Sequence, residues 1–334
     1  MKKKLIIAVF GLVLGVVIGE LVIRATGLAP EIALISLGRF RLSPNPDLGY
    51  EPVPFFEYEG DDLNYFEFRG KSNSLGFRDR EHDIENPKGT YRILIIGDSI
   101  TMGLLVDDHE AIFPAVLQRE LDNAGDNVEV LNFGVSGYNT RQEVATLINK
   151  GLVYNPDLVI VQYGQNDRME MNGGIIKKLC QLEDEHAGIE RSLLNPIVAR
   201  SALFRFLRFQ VFSEGHDDKR EERLVALEAL KRDTVEESFE LLRDTSLEHD
   251  FKVLVVVFPY FARPTSFRLE DHRKIARTSA ANGFLHLDLL EAYAKCGQIH
   301  GQSVAIDPLH PSAIGHECAG NAIAEYIFKL QLVK

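Results

Sequence analysis

Four clusters in this chain carry residue types that could do chemistry: Gly97-Asp98-Ser99, Gly134-Val135-Ser136-Gly137, Gly164-Gln165-Asn166-Asp167 and Asp307-Pro308-Leu309-His310. A serine hydroxyl becomes a nucleophile only when a base takes its proton, and acyl transfer further needs donors waiting where the oxyanion will form. Asp307, three residues before His310, can curl back onto the imidazole Nδ1. That fixes the tautomer in which Nε2 is free to accept from Ser99. The Ser99 amide, the Gly134 amide and the Asn166 side-chain amide are candidate oxyanion donors, a glycine at 134 letting the backbone approach. His286 and His316 lack a carboxylate at that spacing and read as structural or surface residues. Other chemistries fit less well: Gly97 and Gly103 do not make a dinucleotide loop, and no Walker lysine follows. A helix N-cap remains the plain alternative for Ser99 or Thr101.

The elements that must position these clusters are legible around them. Ile93 to Ile96 is an unbroken aliphatic run, the pattern of a strand buried on both faces of a parallel sheet. Similar runs recur at Val128 to Phe133, Leu158 to Tyr163 and Val253 to Phe258, with a weaker one at Leu285 to Leu289. Helical-length segments fall between or after them, at Phe113 to Leu121, Arg141 to Leu152, Leu269 to Asn282 and Ala313 to Leu330. Strand and helix in alternation imply an α/β domain with a mostly parallel sheet and helices on both faces. Each of the first three clusters follows a strand, where such sheets bind ligands. In a flavodoxin-like order 2-1-3-4-5, strands two and three flank strand one, and their loops surround Ser99.

The stretch from Asp167 to Phe251 is too long for a simple crossover and implies a helical insertion at about 168–250. Its second half, Asp217 to Asp250, carries leucines at helical spacing (Leu224, Leu227, Leu230, Leu241, Leu242) and suggests a long amphipathic surface helix. Its first half holds Ser201 to Phe212, four phenylalanines among arginines. A lid over the site, a membrane-surface contact and a helix packed on the core all remain open for it. Residues 24–90 are rich in proline, aromatics and acids without helical periodicity, and suggest an extended arm packed on a main domain at 91–334. Within that arm, Asn73 to Arg78 reads as a turn.

At the amino terminus Lys2, Lys3 and Lys4 precede an apolar run, 5–23, interrupted only by glycines and Glu20. As a helix this run of roughly 19 residues reaches about 28 Å, enough to cross a hydrocarbon core of about 30 Å. Three lysines before it against Arg24 after it place residues 1–4 in the cytoplasm and the remainder outside. A cleaved signal peptide, with Ala25 and Gly27 near the cut, competes with this anchor. The run, however, exceeds the usual signal core, and Arg24 lies between it and the cut. A net charge of -12 over 334 residues argues against a general nucleic-acid binder. Cys180, Cys296 and Cys318 lack metal-ligand spacing and read as buried small hydrophobes, with one bridge as the lesser alternative.

The four clusters, in this order, resemble those of the SGNH, or GDSL-like, hydrolases, over roughly Arg92 to the carboxyl terminus. Asn73 to Arg78 resembles, more weakly, a segment of membrane-anchored bacterial members. The resemblance implies a three-layer α/β/α sandwich, the SGNH hydrolase fold, without metal or cofactor. It implies Ser99 as nucleophile, His310 as base, Asp307 as its orienting partner, and Ser99, Gly134 and Asn166 as the oxyanion hole. The expectation is a membrane-tethered serine esterase removing acyl groups, acetyl above all, from a surface or secreted glycan. An O-acyltransferase, a lipase or lysophospholipase, and a non-catalytic glycan-binding or assembly protein are the alternatives. A complete proton-transfer and oxyanion set disfavours the last, since binding alone needs none of it.

Overall fold

The computed structural model describes residues 2–26, 28, 39–58, 70–86, 89–168, 175–176, 179, 201–207, 235–262 and 266–333. Its centre is a parallel sheet formed by five strands that fall in the expected places. They are β1 (Tyr91–Gly97), β2 (Val128–Gly134), β3 (Leu158–Tyr163), β4 (Lys252–Val257) and β5 (Leu285–Asp288). Their spatial order, β2-β1-β3-β4-β5, is the flavodoxin-like 2-1-3-4-5. Ile96 pairs with Phe133 on one side and Val161 on the other, so the strand that leads to Ser99 is central.

Alternation along the strands divides the core into two layers. Leu94, Ile96, Val159, Val161, Val253 and Val255 face one way and pack with Val144, Phe239 and Leu242. Ile93, Ile95, Ile160, Leu254 and Val256 face the other and pack with Phe113, Leu117, Ile323 and Ile327. Helices cover both faces, which is why these strands are apolar throughout rather than alternating. Local chemistry sets where the helices begin and end. Phe113–Ala124 opens with Pro114 in its first turn and stops at Gly125, φ 85°. Thr140–Thr146 opens on a capping box between Asn139 and Gln142. Ala313–Lys329 is capped by the Ser312 side chain, which accepts from the Gly315 amide.

The helix expected over Arg141 to Leu152 is α-helical only to Thr146 and then widens into a π turn, Leu147–Gly151. Gly151 sits against Leu94, where an added Cβ would come within 2.9 Å of Leu94 Cδ1, so the turn presses directly on the central strand. In the insertion, a helix covers Val235–His249, and Leu241 and Leu242 lie on it. Leu224, Leu227 and Leu230 lie outside the described residues. So do residues 208–212 of the phenylalanine-rich segment, whose start forms a short helix, Ala202–Phe206.

The cysteines correct one expectation. Cys296 and Cys318, on the successive helices Leu290–His300 and Ala313–Lys329, form a disulfide with their Cα atoms 6.3 Å apart. The packing of those two helices, which spacing alone does not reveal, brings them together. Cys180 lies outside the described residues.

At the amino terminus, Lys2–Thr26 is one helix of 25 residues. The side chains of residues 5–9 and 12 lie outside those described. Among the described residues no helix is long and apolar enough to cross a membrane, so the spanning segment expected at 5–23 is not supported by the structure. The helix is instead joined to the insertion. The Glu20 carboxylate accepts from the Ser201 hydroxyl at 2.8 Å and from the Ala202 and Leu203 amides at 2.8 and 2.9 Å. Gly19 makes room for Leu203 beside it.

The arm after this helix forms two small antiparallel pairs, Phe40–Leu42 with Tyr50–Pro52 and Glu57–Tyr58 with Gly70–Lys71. It is fastened to the sheet by buried charge. Arg92, fully enclosed, donates to the carbonyls of Asp83, Ile84, Glu85 and Tyr154 and pairs with Glu129. His82 bridges Glu129 and Asp79 at 2.8 and 2.9 Å, and those two acids together hold its imidazole above its ordinary pKa despite burial.

Candidate active site

Ser99 opens a single helical turn, Ser99–Met102, at the carboxyl end of the central strand. Asp98 caps that turn by accepting from the Ile100 amide at 2.7 Å, and Gly103 ends it at φ 78°. Gln162, on the neighbouring strand, fixes it from the side. Its Oε1 accepts both the Asp98 amide and the Thr101 hydroxyl, at 3.1 and 2.9 Å. Gly97 has to be glycine, because a Cβ there would collide with Thr101 Oγ1.

His310 reaches Ser99 from the other end of the chain. Its Nε2 lies 2.9 Å from Ser99 Oγ, and its Nδ1 lies 2.7 Å from Asp307 Oδ2. The second oxygen of Asp307 accepts the amides of Leu309 and His310, each at 2.7 Å. Burial alone would raise this carboxyl, but the bonds from His310 and the two amides outweigh it and hold Asp307 below the ordinary carboxylate range. An ionised Asp307 requires the proton of His310 to sit on Nδ1, which leaves Nε2 as the acceptor for the Ser99 hydroxyl. The loop itself is closed at its ends by the Ala305–Pro311 bridge and held at its middle by the Phe261 amide donating to the Pro308 carbonyl.

The expected oxyanion set needs one correction. The Gly134 amide donates to the Asn132 side-chain carbonyl at 3.0 Å and so faces inward, not toward Ser99 Oγ. The same Asn132 amide donates to the Thr101 carbonyl at 3.1 Å, tying the second strand to the turn that begins at Ser99. Glycine at 134 serves that approach: a Cβ would lie 2.7 Å from the Thr101 carbonyl carbon. Gly137, at the next turn, has φ 79°, and among the described residues its amide has no hydrogen-bond partner. Its signal was the second glycine of Gly134-Val135-Ser136-Gly137. Asn166 lies in a 3-10 turn, Gln165–Arg168, after the third strand. Its side chain is outside the described residues.

Behind that turn lies a group of enclosed acids. Asp167 accepts from the Thr140 hydroxyl at 2.6 Å and the Gly164 amide at 2.7 Å. Burial, reinforced by the charge of Asp98, pushes its carboxyl up to about 8 against those two bonds. Glu143 is likewise pushed well above the ordinary carboxylate range, by burial and then by Asp167 and Asp98, and neither of its carboxyl oxygens has a partner among the described residues. An acid raised in the folded state contributes stability that is complete below its unfolded pKa and is lost as pH rises through the folded one. For Asp167 that window runs from about 4 to about 8. Thermal melts of wild type and Asp167→Asn between pH 5 and 9 should therefore show the variant gaining on wild type as pH rises. A melting difference independent of pH would mean that Asp167 is ionised throughout.

His316 is structural. Enclosed beside Phe113, its Nδ1 accepts the Phe113 amide at 3.2 Å, and burial pushes its pKa down to about 3. His286, half-buried, is lowered by the same cause.

Several solved structures resemble this fold. A two-domain esterase active on acetylated mannans, co-crystallised with mannopentaose, aligns at 16% identity and a TM-score of 0.45 over 72% of this chain and 50% of its own. This chain thus spans about half the length of that esterase. A lipase/acylhydrolase from Enterococcus faecalis aligns at 20% identity and a TM-score of 0.43, covering 73% of this chain and 97% of its own. An acetyl xylan esterase, AlAXEase, aligns at 15% identity and 0.43 over 71% and 99%. No curated protein sequence matches the chain. The model of the GDSL-like Lipase/Acylhydrolase family matches residues 95–318, a span that runs from the strand before Ser99 past His310. The chain belongs to that family.

Proposed function

We propose that the protein is a serine acylhydrolase in which Ser99, His310 and Asp307 form one proton relay. The observation that carries this is the continuous path from Ser99 Oγ through His310 to Asp307, at 2.9 and 2.7 Å, which with an ionised Asp307 leaves Nε2 to act as the base. In the reaction, Ser99 Oγ attacks the ester carbonyl as His310 Nε2 takes its proton. The amides of Ser99 and Gly137 and the Asn166 side chain hold the oxyanion in place of the engaged Gly134 amide. Collapse expels the alcohol, which receives the proton from Nε2. Water, deprotonated by His310, then attacks the acyl-serine and releases the acid and the free serine. The Asp307 carboxylate stays ionised throughout and steadies the imidazolium.

The acyl group is proposed to be acetyl, borne on a surface or secreted glycan. Such a polymer needs no basic docking surface, in keeping with a net charge of -12. The catalytic domain is proposed to work outside the cytoplasm, tethered by the amino-terminal helix. Lys2, Lys3 and Lys4 before the apolar run support that orientation, and the Cys296–Cys318 disulfide suits an oxidising compartment. A panel of esters from acetyl to long acyl, assayed with acetylated glycans and with free glycan as acceptor, tests the reading. It should show fastest turnover on acetyl and free acetate as the product. Rates that climb with chain length would indicate a lipase, and acetyl recovered on the acceptor a transferase.

A further inference from the structure

The region matched by the family model begins at residue 95, yet the two turns that bear the reacting groups are gripped by residues well before it. Arg78, almost fully enclosed, spreads its guanidinium over the exit of the nucleophile's turn. Nη1 donates to the Gly103 carbonyl at 2.7 Å and the Met102 carbonyl at 3.3 Å. Nη2 donates to the Val106 and Asp107 carbonyls at 2.7 and 2.9 Å. A helix of one turn leaves its final carbonyls without partners of its own, and a planar fork of donors is the side chain that can collect several at once. The carbonyl of Arg78 in turn accepts from Asn132 Nδ2, the amide that also holds Thr101.

Arg78 is itself fixed. Asn73 Oδ1 accepts the Leu75 and Phe77 amides at 3.0 and 2.9 Å, shaping the turn that leads to it. Phe77 packs on Phe133 with ring centroids 4.3 Å apart. Asp79, the next residue, accepts the Asn132 backbone amide at 2.6 Å. A second grip lies on the other turn. The Tyr50 hydroxyl donates to the Ser136 carbonyl at 2.8 Å, immediately before Gly137, and Tyr138 returns a bond to the Tyr50 carbonyl at 2.6 Å. That Ser136 carbonyl belongs to the peptide unit whose N–H is the Gly137 amide, so the Tyr50 bond sets the direction in which that amide points.

We propose that Arg78 and Tyr50 are positioning residues for catalysis, Arg78 setting the turn that presents Ser99 and Tyr50 aiming the Gly137 amide at the oxyanion. The inference rests on the reading of Ser99 as nucleophile. It makes the arm a working part of the catalytic unit, with Asn73 to Arg78 doing more than form the turn that its sequence suggests. Each acts through backbone it holds, Arg78 through the end of the turn that begins at Ser99 and Tyr50 through the Ser136–Gly137 peptide.

The test uses the full chain and the variants Arg78→Lys, which keeps the charge and loses the fork, and Tyr50→Phe, which loses one oxygen. Arg41→Ala, removing a half-exposed partner of Glu51 elsewhere on the arm, controls for loss of stability alone. Readouts are the melting temperature, kcat and KM on an acetyl ester, and the rate of inactivation by a fluorophosphonate, which needs nucleophile and oxyanion donors but no particular alcohol. Arg78→Lys and Tyr50→Phe should lower kcat and the inactivation rate by about 10-fold or more, with KM within about twofold, because small misplacements of reacting groups cost rate far more than affinity. Arg41→Ala should leave all three kinetic values at wild type. Folded variants that keep wild-type kcat and inactivation rate, with only the melting point lowered, would overturn the proposal. Should Arg78→Lys fail to fold, Tyr50→Phe decides. If Ser99→Ala is inactive while these variants are not, this inference alone fails; if Ser99→Ala is active, the reading beneath it fails.

Discussion

Ser99→Ala and His310→Ala are each expected to lower kcat on the best ester by about 10⁴-fold or more, and the double variant little further, because groups that act as one unit are lost together. Asp307→Asn is expected to approach the same loss. An amide at that position can still accept from the turn, but it no longer demands the Nδ1–H tautomer, and Nε2 is then free to carry the proton and cease to be a base. Steady-state kinetics on an acetyl ester, with fluorophosphonate labelling to count competent serines, measures all four variants. Losses that multiply in the Ser99, His310 double variant would show that the two residues do not share a step. Wild-type turnover in Ser99→Ala would remove the nucleophile from the scheme.

The second large effect is expected from a single methyl group. Gly134→Ala would press a Cβ against the backbone of Thr101 and Met102, the carbonyl carbon of Thr101 lying 2.7 Å away. Neither neighbour is the end of a flexible side chain, so relief requires the nucleophile's turn or the second strand to move. The cost should fall at the top of the range for point substitutions, about 4 kcal/mol or more, with activity lost alongside. Gly137→Ala meets a different penalty. Its φ of 79° strains an alanine by about 1–2 kcal/mol, a loss the fold should survive. Denaturant midpoints and kcat for the two variants distinguish a packing glycine from a turn glycine. Equal, small losses at both positions would mean that the close approach at 134 relaxes without consequence.

These glycines also show where the reading of the sequence stops. The central strand was legible because burial on both faces leaves an unbroken apolar run, and the pairing of Asp307 with His310 because a spacing of three is a local property of the chain. The strand order was supposed to be the flavodoxin-like one, which sets three loops around one serine, and the sheet has that order. By contrast, Gly134 and Gly137 are indistinguishable as letters: one is glycine because another backbone lies against it, the other because its own backbone turns left-handed. Only the three-dimensional path separates those reasons. Arg78 is a single charge in an irregular arm, and the carbonyls it collects begin more than twenty residues downstream. No periodicity announces such a bond. The Cys296–Cys318 pairing is of the same kind, since it depends on how two helices dock.

The joint at Glu20 bears on whether the first helix is kept or discarded. A segment destined for removal by a peptidase has served its purpose once it has crossed, and nothing in the mature domain should depend on it. Here the carboxylate at position 20 supplies the acceptor for Ser201, Ala202 and Leu203, residues some 181 positions away along the chain. Excision would strand three donors at the start of a short helix, a loss on the scale of a missing N-cap, about 1 kcal/mol. Those contacts are in keeping with the retained helix proposed above. They also mean that the first helix is attached to the rest of the molecule twice, through the arm in sequence and through Glu20 in space. A chain fastened at two points behaves as a bracket rather than a leash, and it fixes where the first helix meets the short helix Ala202–Phe206.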